Sequence, residues 1–354
     1  MCPAAGIQQG GAGFEPTGII LTSFDRTGIW VYQVDGARRY PLPETRPCDG
    51  NCRLSPDARW LTYFNDETNA YNRMHLDGSE RTYISAYASD IEWWTDNIYL
   101  IWTPGHNAYL MPEGSDQRTT LDVNQVVSIQ PGGYWGVSVQ PTETGFSRSL
   151  INLDPNMDSV PAQTIELGED RLYFDAAAWS PSGDMLAFVA PVLSNSGELL
   201  GSEIYGISPD QSSPEQWTNF SNDYGLVRIN GLAAGELSWS PDGSRIAFWV
   251  IQMLSNNPQG NLGNAILHVL DVPTRTVTTY CDYATTEHTP NPPRLRWSPD
   301  GTHIAFAGNI PADERGYLLL VLDTTTGVYT ELSEGIYPAL GAPNVIAWGL
   351  PPNQ

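Results

Sequence analysis

An all-β fold built from seven four-stranded antiparallel units is predicted by three observations in the sequence. A ten-residue pattern recurs at residues 179–188, 239–248 and 297–306, each with Trp first, Ser-Pro-x-Gly in the middle and Ala-Phe near the end. The stretches between copies alternate short apolar runs with polar turns, as antiparallel strands require. The chain has 354 residues, 41% of them hydrophobic, with 12 Trp and 17 Tyr. That length can bury about three quarters of the unfolded surface, so a large core is available.

The unit follows from local chemistry. An apolar inner strand ends at the Trp. Ser-Pro-Asp-Gly then turns the chain, with Pro fixing φ and Gly accepting a positive φ. A second strand such as Ile246-Ala247-Phe248 returns. A second hairpin follows, its third strand apolar (residues 204–207, 266–271 or 318–323) and its fourth rich in Thr (residues 275–280). Weaker copies start at residues 54, 93 and 129, and an inner strand without a continuation lies at residues 345–351. Residues 18–24, 28–34 and 38–42 read as three outer strands lacking an inner one. The two chain ends are therefore expected to complete one shared blade and close the ring, which removes exposed sheet edges. The expected fold is a seven-bladed β-propeller, with six blades the alternative if the unit around Ile129 is an excursion.

The Trp-Ser-Pro-Asp-Gly unit with its Ile-Ala-Phe strand resembles the TolB-type β-propeller repeat, a relative of WD-type repeats. The resemblance covers nearly the whole chain after about residue 17 and is specific in three units. It implies a propeller alone, since the chain has no room for the small α/β domain that precedes the propeller in TolB. It also implies an association with envelope protein complexes. The expected organisation is a flexible tether at residues 1–17 and a single propeller domain at residues 18–354.

Composition narrows the function. There are 17 basic residues, all Arg, against 40 acidic ones, a net charge of −23. Nucleic acid and polybasic attachment to anionic lipid both need clustered cations, so neither is expected. No apolar run reaches the roughly 18 residues of a membrane span. Cys2, followed by a small polar stretch, resembles the first residue of a mature bacterial lipoprotein. In that case Cys2 carries a lipid and anchors the protein to a membrane surface in an extracytoplasmic compartment, periplasmic or at the cell surface. The other reading is an accidental Cys in a tail. Cys48 and Cys52, flanking Asp-Gly-Asn, either form a local disulfide, as suits that compartment, or are free thiols. A zinc site is not expected there, because no His has ligand spacing to the pair.

The motif residues read as structure. Ser-Pro-Asp-Gly is turn chemistry, and the repeated Trp residues pack between blades. The turn aspartates belong to separate blades, whereas calcium needs about six to eight converging oxygens. There is no Gly-x-Ser-x-Gly elbow and no His-Glu-x-x-His. No catalytic residue, metal or cofactor is expected. The extra residues concentrate at 140–146, 191–202, 251–263 and 308–316 between second and third strands, and at 221–235 and 282–293 between blades. These loops share one face in a propeller, and function gathers in loops on a rigid scaffold. Three residues before each Trp-equivalent position stand Asn51, Asp90, Val126, Ala176, Glu236, Arg294 and Val345, a mixed, mildly acidic set at the channel mouth. Asn51, Asp90, Glu236 and Arg294, with His288 from a neighbouring loop, are the candidate partner-binding residues. They suit a peptide or a basic protein tail by charge complementarity. The expectation is a non-enzymatic scaffold that binds protein or peptide. The rivals are an enzyme acting on carbohydrate with Glu236, Asp90 and Asp175, which requires paired carboxylates about 5 to 9 Å apart, and a passive subunit of a larger assembly.

Overall fold

The computed structural model describes residues 7–10, 14–24, 28–48, 51–143, 145–156, 164–170, 177–230, 237–253, 262–285, 292–310, 314–336 and 345–352. Among them are seven sheets, antiparallel apart from one added edge strand, and one short α-helix. The chain divides into two compact units, residues 120–292 and residues 2–119 with 293–354.

The first unit holds three blades. Val126–Ile129, Trp135–Pro141, Phe146–Asn152 and Thr164–Asp170 form one, so the weak repeat around Ile129 is a blade and the count is seven. The second comprises Ala177–Trp179, Leu186–Leu193, Leu199–Ile207 and Glu215–Gln216. The third comprises Ser238–Trp239, Arg245–Met253, Leu262–Asp271 and Thr276–Thr285. Its core lies between sheets: Val137, Leu150, Leu186 and Phe188 meet across the first two blades, and Val189, Ile204, Leu237 and Phe248 across the second and third.

The other unit holds four blades. Two run in simple order from Arg53–Leu54 to Thr82–Ser85 and from Asp90–Thr95 to Thr119–Leu121, where the boundary with the first unit falls. A third runs from Arg296–Trp297 to Tyr329–Glu334. The fourth joins the chain ends, as the repeat count requires. Val345–Gly349 is its inner strand and pairs with Ile19–Phe24, which Gly28–Gln33 and Arg38–Pro41 follow. Trp348 is fully buried and its indole N–H donates to the Thr17 carbonyl at 3.0 Å.

The repeated residues do structural work. In the turn of residues 298–301, Ser298 Oγ donates to Asp300 Oδ1 at 2.5 Å and accepts from His303 N at 2.9 Å, while Gly301 N donates to Ser298 O at 2.8 Å. The same set closes residues 240–245, and Gly243 and Gly301 take φ of +69° and +70°. The repeat Trp stitches blades: Trp239 Nε1 donates to Ala178 O at 2.9 Å and Trp93 Nε1 to Arg53 O at 3.2 Å.

Two expectations change. The insertion at 191–202 is mostly strand: Pro191 pairs with Ser202 and Val192 with Gly201, leaving a turn that Gly197 N closes on Ser194 O at 2.9 Å. Likewise Arg245–Met253 runs into 251–263, Thr276–Thr285 runs into 282–293, and Val227–Ile229 within 221–235 pairs with the far half of Arg245–Met253. An inserted backbone keeps its polar groups bonded most simply by extending the ladder already there. Within the expected tether, Ile7–Gln9 is a strand, parallel to Tyr329–Glu334, with Gly10 N donating to Glu331 O at 2.8 Å. A sheet edge offers unpaired backbone groups to any extended segment.

Candidate functional site

The sequence-predicted residues Asn51 and Asp90 converge on one buried tyrosine. Asp90 begins the inner strand Asp90–Thr95 of one blade, and Arg53 begins the inner strand Arg53–Leu54 of the next. Arg53 donates to Asp90 Oδ2 at 2.8 Å, and Asp90 Oδ1 accepts from Ile91 N at 2.8 Å. Tyr71 donates its hydroxyl to Ser89 O at 2.8 Å. Thr62 Oγ1 donates to Ile91 O at 3.2 Å, tying the two blades beneath the cluster.

The electrostatics are strained in a particular sense. Burial pushes the Asp90 carboxyl above its ordinary value, although Arg53 and the Ile91 amide work the other way. Burial first, then the Asp90 charge, push the Tyr71 hydroxyl up, with hydrogen bonding from the Asn51 side chain opposing them. Asn51 Oδ1 is buried and accepts no hydrogen bond from any described residue. A buried acceptor without a donor is uncommon in a folded chain and calls for an explanation. The cluster therefore holds one unpartnered acceptor, Asn51 Oδ1, on the same tyrosine that the incompletely compensated Asp90 charge reaches. It suits a ligand that brings N–H groups.

The remaining predicted residues are not gathered there by any described contact. Arg294 is half-buried, two residues before Arg296–Trp297. Val126 and Val345 are buried at the starts of their inner strands. Glu236, His288, Ala176, Asp175 and Cys2 lie outside the described residues. Sequence reasoning missed Arg53 and Tyr71. Arg53 was visible as the residue two after Asn51, whereas Tyr71 comes from a third strand and only the fold brings it in.

Cys48 and Cys52 are joined by a disulfide, with Cα atoms 5.6 Å apart. Cys281 is also disulfide-bonded. Among the described residues no group of three or more His, Cys, Asp or Glu side chains is arranged to hold a metal. His75 stacks on Trp60 with ring centroids 3.7 Å apart, and burial pushes His268 down to about 4. Both are packed histidines. No helix among the described residues is long and apolar enough to cross a membrane.

No family model matches the chain, and no curated protein does. Solved structures do. A functionally unknown protein from Desulfotomaculum acetoxidans DSM 771 is 11% identical, with 95% of this chain and 100% of that one covered and a TM-score of 0.54. The periplasmic gluconolactonase PpgL of Pseudomonas aeruginosa is 13% identical, with 95% and 100% covered and a TM-score of 0.53. TolB from Acinetobacter baumannii is 15% identical, with 94% and 67% covered and a TM-score of 0.49. At these identities the likeness is one of fold. The seven sheets and the shared terminal blade make the fold a seven-bladed β-propeller, and its Trp-Ser-Pro-Asp-Gly turns resemble the TolB-type repeat.

Proposed function

We propose that the protein is a non-enzymatic, extracytoplasmic propeller that binds a protein or peptide segment through the Asn51–Arg53–Tyr71–Asp90 cluster. The observation that carries this reading is the buried, unpartnered Asn51 Oδ1, on the tyrosine that the Asp90 charge also reaches. A segment that brings N–H groups and a cationic side chain answers the acceptor and the carboxylate. The net charge of −23 favours a cationic segment over an acidic one. The Cys48–Cys52 disulfide supports an oxidising compartment, in keeping with the periplasmic setting named for the gluconolactonase of similar fold.

The carbohydrate-enzyme reading fits less well, because Asp90 is already engaged by Arg53 and by a backbone amide. A titration with a Lys-rich peptide and a neutral peptide of the same length tests the proposal. The Lys-rich peptide is expected to bind, to weaken as salt rises, and to lose about tenfold in affinity in Asp90→Asn or Asn51→Ala. Equal binding of both peptides, or full affinity in both variants, overturns it.

A further inference from the structure

We propose a second binding site, in the unit of residues 120–292, for a neutral, hydroxyl-rich ligand: a pyranose unit of a glycan. The site is a cavity of about 420 Å³ lined by residues that include Trp217, Asn219, Asp223, Tyr224 and Arg275. That volume falls within the range of small-molecule sites, about 300–1,000 Å³. It belongs to none of the groups at Asn51 and Asp90 and is independent of the reading given for them.

The wall is built in advance. Glu203 is fully buried, and its carboxylate accepts from Thr218 Oγ1 at 2.7 Å, Phe220 N at 2.8 Å and Ser221 N at 2.7 Å. One carboxylate thus pins the segment that carries the site. Trp217, only 3% exposed, lies flat against Gly206, where an added Cβ would stand 1.6 Å from the indole. The Arg275 guanidinium covers its ring at 4.5 Å and is held by Glu215 at 2.8 Å. Tyr224 stacks on Phe220, with centroids 5.9 Å apart, yet is 53% exposed.

The unmet hydrogen bonds identify the ligand. Trp217 Nε1 and Arg275 Nε are buried donors with no acceptor. Arg275 first, and then the indole, hold the Glu215 carboxyl below its ordinary value, but the indole N–H reaches no acceptor at hydrogen-bond geometry. These two donors ask for an acceptor. The Asp223 carboxylate stands exposed at the same cavity, hydrated, and can take a ligand's donor in place of water. An anion meets the first demand and is repelled by Asp223. A cation meets the second and leaves the buried donors unmet. Hydroxyl groups meet both, and the apolar face of a sugar ring covers Tyr224.

Calorimetric titration of the full chain with neutral pyranosides (glucosides, galactosides, mannosides and N-acetylglucosaminides), with glucuronate as the acidic comparison, tests the site. At least one neutral sugar is expected to bind and to enhance or quench Trp fluorescence. Tyr224→Ala is expected to weaken it by about tenfold, and Asp223→Asn by about fivefold. Asp223 is exposed, so the thermal midpoint of its variant should hold; Tyr224 also packs on Phe220 and His268, so Tyr224→Ala is read only with its fold verified by circular dichroism, and Tyr83→Ala, at an exposed Tyr of the other unit, should leave binding intact. No binding of any neutral pyranoside at millimolar concentration overturns the proposal. So does unchanged affinity in Tyr224→Ala, or tighter binding of glucuronate.

Discussion

Asp300 and Asp90 are the same residue type in opposite circumstances. Asp300 sits in a Ser-Pro-Asp-Gly turn, where Ser298 Oγ, Thr302 N and Thr302 Oγ1 all donate to it, at 2.5, 3.0 and 2.8 Å. Burial works upward on its carboxyl, but these donors outweigh it and the value falls below the ordinary one. Asp242 repeats the arrangement in another blade. Asp90 has one guanidinium and one amide, and burial wins. The turns are satisfied and the inner-strand cluster is not. A recurring acidic residue can thus be pure architecture, while an unrepeated one carries an unmet demand.

The comparison can be broken most decisively by acid titration, once its largest background is removed. His268 is buried among Phe220, Tyr224 and Phe248, and is held near 4 against an ordinary 6.5. The unfolded chain therefore takes up that proton first, and stability is lost as pH falls from 6.5 towards 4. The loss is on the order of 3 kcal/mol. His268→Phe is expected to flatten this part of a denaturation-versus-pH curve. A curve unchanged by the substitution assigns the acid sensitivity elsewhere.

Ser298→Ala should come next, costing about 2 kcal/mol at neutral pH, because a buried hydroxyl that both donates and accepts is removed. Part of that cost rests on ionised Asp300. Its contribution is present above the ordinary carboxyl value of 3.8 and disappears as pH falls through the lower folded value. Urea denaturation at neutral and strongly acidic pH should show a smaller penalty in acid, and an equal penalty at both would contradict the turn's charge chemistry.

Asp90→Asn should have the smallest effect, with the opposite sign. Its folded value lies above 3.8, so ionisation is penalised in the folded chain, fully so above the folded value and not at all below 3.8. At neutral pH the variant is expected to match the parent or gain up to about 1 kcal/mol, the mark of a site kept for binding at a cost in stability. A clear loss of stability would place Asp90 with the turn aspartates.

The difference between these sites also marks how far the sequence is legible. Trp239, Ser240, Asp242 and Gly243 were readable because their partners lie within five residues, apart from the one indole bond to Ala178. The pairing of Val345–Gly349 with Ile19–Phe24 was readable because counting strands left each end incomplete. Insertions misled, since length alone does not say whether residues 191–202 loop out or continue a ladder. The inner-strand pattern pointed to Asn51 and Asp90, but not to Tyr71 between them.

The sequence by itself determined the blade and the way the ends join, because those rest on turn chemistry and on the period of short apolar strands, whereas seven blades rather than six was settled by the sheet that Val126–Ile129 opens. Tertiary structure alone decided which polar groups are left without partners. Asn51 Oδ1 and Trp217 Nε1 are ordinary side-chain atoms in the linear chain. Burial took water away from them and packing offered nothing in its place, a balance that no local pattern encodes.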